Sequence, residues 1–158
     1  MEEFKYIIFL LGEQKYAMNL MCVNAIVQDY RIIPVPSAPE GVKGIINLRG
    51  SVIPVYSFKT RFGMEDSTNN SEGSLLVTKS SGTDLAYEVD GVISIEEIEP
   101  HNINRMPYIA STGETKFMEE VLHIKDDIVI SISADEVLSE ETRNALEDII
   151  ADNQGKND

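Results

Sequence analysis

The segment from Gly44 to Phe62, GIINLRGSVIPVYSFKTRF, constrains this chain more than any other stretch of it. A buried run, Ile45-Ile46, leads into the polar turn Asn47-Leu48-Arg49-Gly50, and a second apolar run follows from Val52 to Val55. Gly50 takes φ > 0 at no steric cost, so it closes a tight turn between two strands. That reading puts Arg49 at the tip of the turn, where a side chain is shown to solvent or to a partner.

Strand-like segments recur at short spacing along the rest of the chain. They are read at Lys5–Leu11, Lys15–Met18, Ile26–Pro34, Ile45–Asn47, Ser51–Tyr56, Ser74–Lys79, Asp84–Val89, Val92–Glu97, Lys116–His123 and Asp127–Ser133. Polar turns such as Gly12-Glu13-Gln14 and Lys125-Asp126-Asp127 separate them. Many short antiparallel strands predict an all-β barrel or sandwich. Leu20–Val27 reads as one or two helical turns, and Ser57–Phe62 as another, with Ser57 as its cap. The clear helix is C-terminal, from about Glu136 to Ala151. There Leu138, Ala145, Leu146, Ile149 and Ile150 form an apolar stripe opposite charged residues. Met64–Gly73 is a polar break in the pattern, and a polar tail follows Ala151.

Charge narrows the choice of partners. The 158 residues carry a net charge of −14, distributed unevenly. Residues 1–63 hold seven basic and five acidic side chains, whereas residues 64–158 hold six basic and 22 acidic. Such acidity repels phosphate backbones and anionic lipid, so neither nucleic acid nor a membrane surface is expected as a partner. No stretch reaches the roughly 18 apolar residues that suggest a bilayer span. The N-terminal MEEFKYIIFLLGEQKY lacks the basic start of a secretion signal, so a cytoplasmic protein is expected. The lone Cys22 excludes an internal disulfide and, set among apolar residues, reads as a buried, inert thiol.

Catalytic chemistry needs convergent reactive groups, and few present themselves. His101 and His123 lie far apart, with no His or Cys at metal-ligand spacing. Gly41-Val42-Lys43-Gly44 has only two glycines, too few to identify a phosphate loop. Neighbouring carboxylates such as Glu119-Glu120 point to opposite faces of a strand and do not form an acid/base pair. No active site is visible; no catalytic residue, metal or cofactor is expected.

The run Gly44-x-x-Asn47-Leu48-Arg49-Gly50, followed by Ile53-Pro54-Val55, resembles the signature of the CheW family of chemotaxis coupling proteins. The likeness extends from about Phe4 to Ala151. Phe9-Leu10-Leu11-Gly12 with Tyr16-Ala17-Met18 is similar to the family's opening hairpin. Ile33-Pro34-Val35-Pro36-Ser37-Ala38-Pro39 is similar to its Pro-rich approach, and Val89-Asp90-Gly91-Val92 to a later strand pair. The resemblance implies two small, intertwined SH3-like five-stranded β-barrel subdomains. These form one domain over residues 1–152, with a loop at 64–73 and a tail at 153–158. It implies a non-catalytic adaptor that joins the cytoplasmic tip of methyl-accepting chemoreceptors to the regulatory domain of a CheA-type histidine kinase, and so a cytoplasmic protein recruited to membrane receptor arrays. Carried over by position, Val23, Ile26, Gly44, Asn47 and Arg49 would face the receptor, and Val89, Asp90 and Val92 the kinase.

Three departures from the family pattern bear on partner choice. Ala25 stands where Glu is common, Ser57 where Asp is usual, and Tyr108–Val121 lacks a Gly that opens a late strand pair. Two other readings compete. The chain could be the coupling protein of a pilus-motility array. It could also be a small-barrel hydrolase or metal-dependent enzyme, which stoichiometric metal in purified protein would reveal.

Overall fold

The apolar run Ile7–Leu11 lacks strand alternation because its strand is covered on both faces. In the computed structural model, which describes residues 4–64, 73–80, 83–105, 118–134, 137 and 140–155, Ile7, Phe9 and Leu11 enter one core and Ile8 enters another. The elements in order are β1 (Lys5–Leu11), β2 (Gln14–Asn19), β3 (Val23–Val27), β4 (Val42–Leu48), β5 (Ser51–Ser57) and α1 (Phe58–Arg61). They continue with β6 (Ser74–Ser80), β7 (Thr83–Val89), β8 (Gly91–Glu97), β9 (Ile103–Arg105), β10 (Met118–Ile124), β11 (Asp127–Ile132) and α2 (Glu140–Gly155).

Two sheets result. One runs β8-β1-β2-β11-β10-β9 and the other β3-β6-β7-β5-β4. The chain starts the first lobe with β1 and β2, builds the second with β3 to β7, then returns to finish the first. Most pairings are antiparallel, but β11 lies parallel to β2 and β5 parallel to β7. Intertwined small-barrel lobes are therefore the architecture, with one correction: the first sheet has six strands, not five. The additional strand β9 is only three residues long, and pairs with β10.

Each lobe has a core of its own, and a larger core lies between them. Tyr6, Ile8, Ala17, Ile98, Leu122 and Val129 fill the first lobe. Ile32, Ile46, Ile53, Val55, Leu75, Val77 and Ala86 fill the second. Side chains from both sheets, from Val137 and from Leu146 of α2 make the shared core. Phe58 stands at its centre, stacked on Tyr87 at 4.6 Å and on Phe9 at 5.8 Å, and so ties the two sheets together. The Tyr87 hydroxyl donates to the Ala134 carbonyl at 2.9 Å, so this buried phenol has its partner.

Local chemistry explains where the strand and helix boundaries moved. Ser57 caps α1 as expected, its Oγ accepting from the Thr60 N–H at 3.4 Å. Only Leu20–Cys22 of the expected Leu20–Val27 helix is helical. It is a single 3-10 turn that Asn19 caps by accepting from the Met21 N–H. β3 then begins at once, because Val23–Val27 pairs with β6. That strand stops at Val27, not Pro34, since Asp29 turns the chain with φ +46°. Cys22 is exposed, not buried. Most of the Met64–Gly73 break, Leu138, Tyr108–Phe117 and the end of the tail lie outside the described residues. No helix among the described residues is long and apolar enough to cross a membrane.

Candidate docking site

Leu48 pairs with Ser51, which leaves Arg49 and Gly50 as a two-residue hairpin loop. Both have positive φ, +53° and +87°, the pattern of a type I′ turn whose twist matches the strands it joins. The Asn47 side chain secures the turn by accepting from the Gly50 N–H at 3.0 Å. Asn47 is thus exposed but occupied in holding its own loop. Arg49 sits where Asn, Asp or Gly is preferred, and left-handed φ costs such a residue on the order of 1 kcal/mol. Its side chain is exposed, and it makes no hydrogen bond or ion pair among the described residues. Among the described residues nothing competes with a partner for this charge.

The other expected receptor residues take different positions. Gly44 is buried with φ +149°, and a Cβ there would stand 2.2 Å from the Ile33 carbonyl oxygen. This close approach allows Ile33 and Ile45 to exchange backbone hydrogen bonds of 2.8 and 2.9 Å. Gly44 therefore shapes the edge of β4 and offers no contact surface of its own. Ile26 faces outward from β3 at 38% exposure, whereas Val23 packs on the shared core. Ala25 and Val27 line the second lobe's core. Because β3 and β4 are opposite ends of one sheet, the five residues divide into two groups joined through residues 28–41.

The expected kinase residues are mostly occupied internally. Val89 is 1% exposed and belongs to the shared core, which corrects its assignment to a contact surface. Asp90 Oδ2 accepts from the Gly12 N–H at 2.5 Å, and Oδ1 pairs with Lys59 Nζ at 2.9 Å. This carboxylate fastens the β7–β8 turn to the β1–β2 turn and to α1. Val92 is half-buried and packs on the shared core.

Sequence reasoning passed over several residues. Ile33 is 50% exposed beside β4, and its Ile32-Ile33 run gave only a strand signal. Glu88 is buried, pairing with Lys43 and accepting from the Tyr30 hydroxyl at 2.6 Å. Those partners are 45 and 58 residues away, so no local pattern announces them. Glu120 accepts from the Tyr6 hydroxyl at 2.8 Å, while its neighbour Glu119 is exposed. Burial, and then the Glu120 carboxylate, hold the Tyr6 phenol well above its ordinary pKa of 10.0. Among the described residues no three His, Cys, Asp or Glu side chains gather as a metal site.

Comparison with known proteins gives one consistent result. The family model for the CheW-like domain matches residues 5–142. The chemotaxis protein CheW of Rhizobium meliloti is 32% identical over 139 residues, covering 88% of this chain and 90% of that protein. The chemotaxis protein CheW of Treponema pallidum is 26% identical over 125 residues, or 77% of this chain and 74% of that one. The crystal structure of the scaffolding protein TtCheW from Thermoanaerobacter tengcongensis superposes with a TM-score of 0.80 at 28% identity. It covers 90% of this chain and 96% of that one.

Proposed function

The chain belongs to the CheW-like domain family, and on that premise we propose that it is a non-catalytic cytoplasmic adaptor coupling chemoreceptors to a CheA-type histidine kinase. One observation carries the receptor half of this reading. Arg49 is held in a disfavoured backbone conformation at an exposed turn, and its charge has no partner among the described residues. Backbone strain of that kind at an exposed charge points to use by a ligand.

The partner proposed at this face is the helical cytoplasmic tip of a methyl-accepting chemoreceptor, laid along an apolar surface with Ile26 as an anchor. Arg49 supplies charge-assisted hydrogen bonds to receptor carboxylates or helix-end carbonyls. Asn47 and Gly44 serve the site by fixing the turn and the β4 edge, and Val23 by seating β3. The kinase regulatory domain is proposed to bind at the Asp90 turn and β8. There Val92 is half-buried, and Val89 and Asp90 act by shaping the turn. Holding receptor and kinase together raises their effective concentration without chemistry. Signals pass if the contacts differ between two kinase states.

The test is a receptor pull-down with Arg49→Glu. Loss of receptor with an unchanged melting curve supports the reading, and unchanged capture sinks it. Titration calorimetry with the kinase regulatory domain tests the other half, for which micromolar or tighter binding is expected.

A further inference from the structure

The two halves of the candidate site sit on β3 and β4, the opposite ends of the five-stranded sheet, which are not paired to each other as strands but are joined through β6, β7 and β5. Besides that ladder and the packing of the second lobe's core, two direct links among the described residues tie the segment after β3 to β4. One crossing is the Ile33–Ile45 backbone bridge. The other is polar and centres on Glu88 in β7, the middle strand of that sheet.

The Glu88 side chain is 2% exposed, and both of its oxygens are engaged. Oε1 pairs with Lys43 Nζ on β4. Oε2 accepts from the hydroxyl of Tyr30, three residues beyond the end of β3. The Tyr30 body meanwhile packs on the second lobe's core together with Ala25, Val27 and Leu48. A buried carboxylate held by two partners has little freedom, since losing either leaves charge uncompensated in the interior. The carboxylate thus links the segment after β3 to the edge that carries the Arg49 turn.

We infer that Tyr30, Glu88 and Lys43 form a buried clasp that sets the distance between the Ile26 and Arg49 halves of the docking face. These are positioning residues; none is placed in contact with the partner. The inference rests on the docking reading above, so its test has one arm that needs no partner.

Nitroxide labels at two exposed positions, Asn24→Cys on β3 and Ser51→Cys beside the turn, are introduced in a Cys22→Ser background. Pulsed electron-electron resonance then reads the distance between the halves. With the clasp intact, one narrow distance is expected; in Glu88→Gln it should broaden or shift. Tyr30→Phe removes a single hydroxyl and keeps the test decisive if Glu88→Gln does not fold. In unlabelled protein, Tyr30→Phe should weaken binding of a helical-hairpin peptide spanning the receptor tip by up to about tenfold, the share of that internal hydrogen bond which serves to hold the two halves in their binding geometry. An unchanged distance distribution in folded Glu88→Gln or Tyr30→Phe overturns the clasp. A broadened distribution with unaltered peptide affinity overturns its role in docking. If the unmodified protein ignores the peptide, the docking reading fails, while the distance measurement still decides whether the clasp exists.

Discussion

The turn at Arg49 and the turn at Asp90 each set a charged residue between two strands, yet they direct it in opposite ways. Asp90 points its carboxylate at the Gly12 N–H and Lys59, so its charge is neutralised inside the molecule. Arg49 points away, and the turn beneath it is held by Asn47 instead. The contrast teaches that a charge at a turn tip marks a docking residue only when the fold has no use for it. The family resemblance placed both residues in binding surfaces. Three-dimensional partners separate them, and those partners lie 78 and 31 positions from Asp90.

Substitutions can break or sharpen this contrast. The largest effect is expected beneath the Arg49 turn, at Gly44→Ala. Its new Cβ meets backbone at φ +149°, which costs about 3 kcal/mol or more and disrupts the β4 edge. Urea unfolding would show it, with receptor capture falling in parallel. Asp90→Asn comes next, with about 2 kcal/mol lost as one ion pair and a charge-assisted hydrogen bond weaken. Receptor capture in the folded fraction should stay unchanged, and a clear drop would blur the distinction between the turns. Arg49→Asn gives the smallest effect and the opposite sign. Asn tolerates left-handed φ, so stability should rise by about 0.5 kcal/mol while receptor binding weakens. A pH series adds a check away from both turns. Tyr6 has a raised folded-state pKa, so its contribution is full below its ordinary value of 10.0 and is lost as pH climbs beyond it. Tyr6→Phe should flatten the alkaline decline in melting temperature.

Much of the fold was legible because its signals are local. The Asn47–Gly50 turn, the Ser57 cap and the apolar runs of β1 and β5 depend on residues within a few positions of each other. β9 was missed because Ile103–Arg105 has too few residues to show a period. β3 was confused with helix because Val23 and Ile26 have spacing that fits a helical face, and pairing with β6 decided otherwise. The candidate site was legible only in part. Arg49 follows from turn chemistry, whereas the burial of Val89, the close approach at Gly44 and the Tyr30–Glu88–Lys43 group arise from contacts distant in sequence.

The interleaved strand order has a consequence for synthesis. During translation the β1–β2 hairpin emerges first, but its neighbours in the sheet are β8 and β11, with Tyr16 paired to Ile130. At about 5–20 residues per second, that last neighbour is made roughly 6–23 s later. Through that interval a hairpin apolar on both faces is unshielded, and is a substrate for any holdase near the ribosome. A force profile of the nascent chain should therefore show its strongest pull late, once β11 has cleared the exit tunnel.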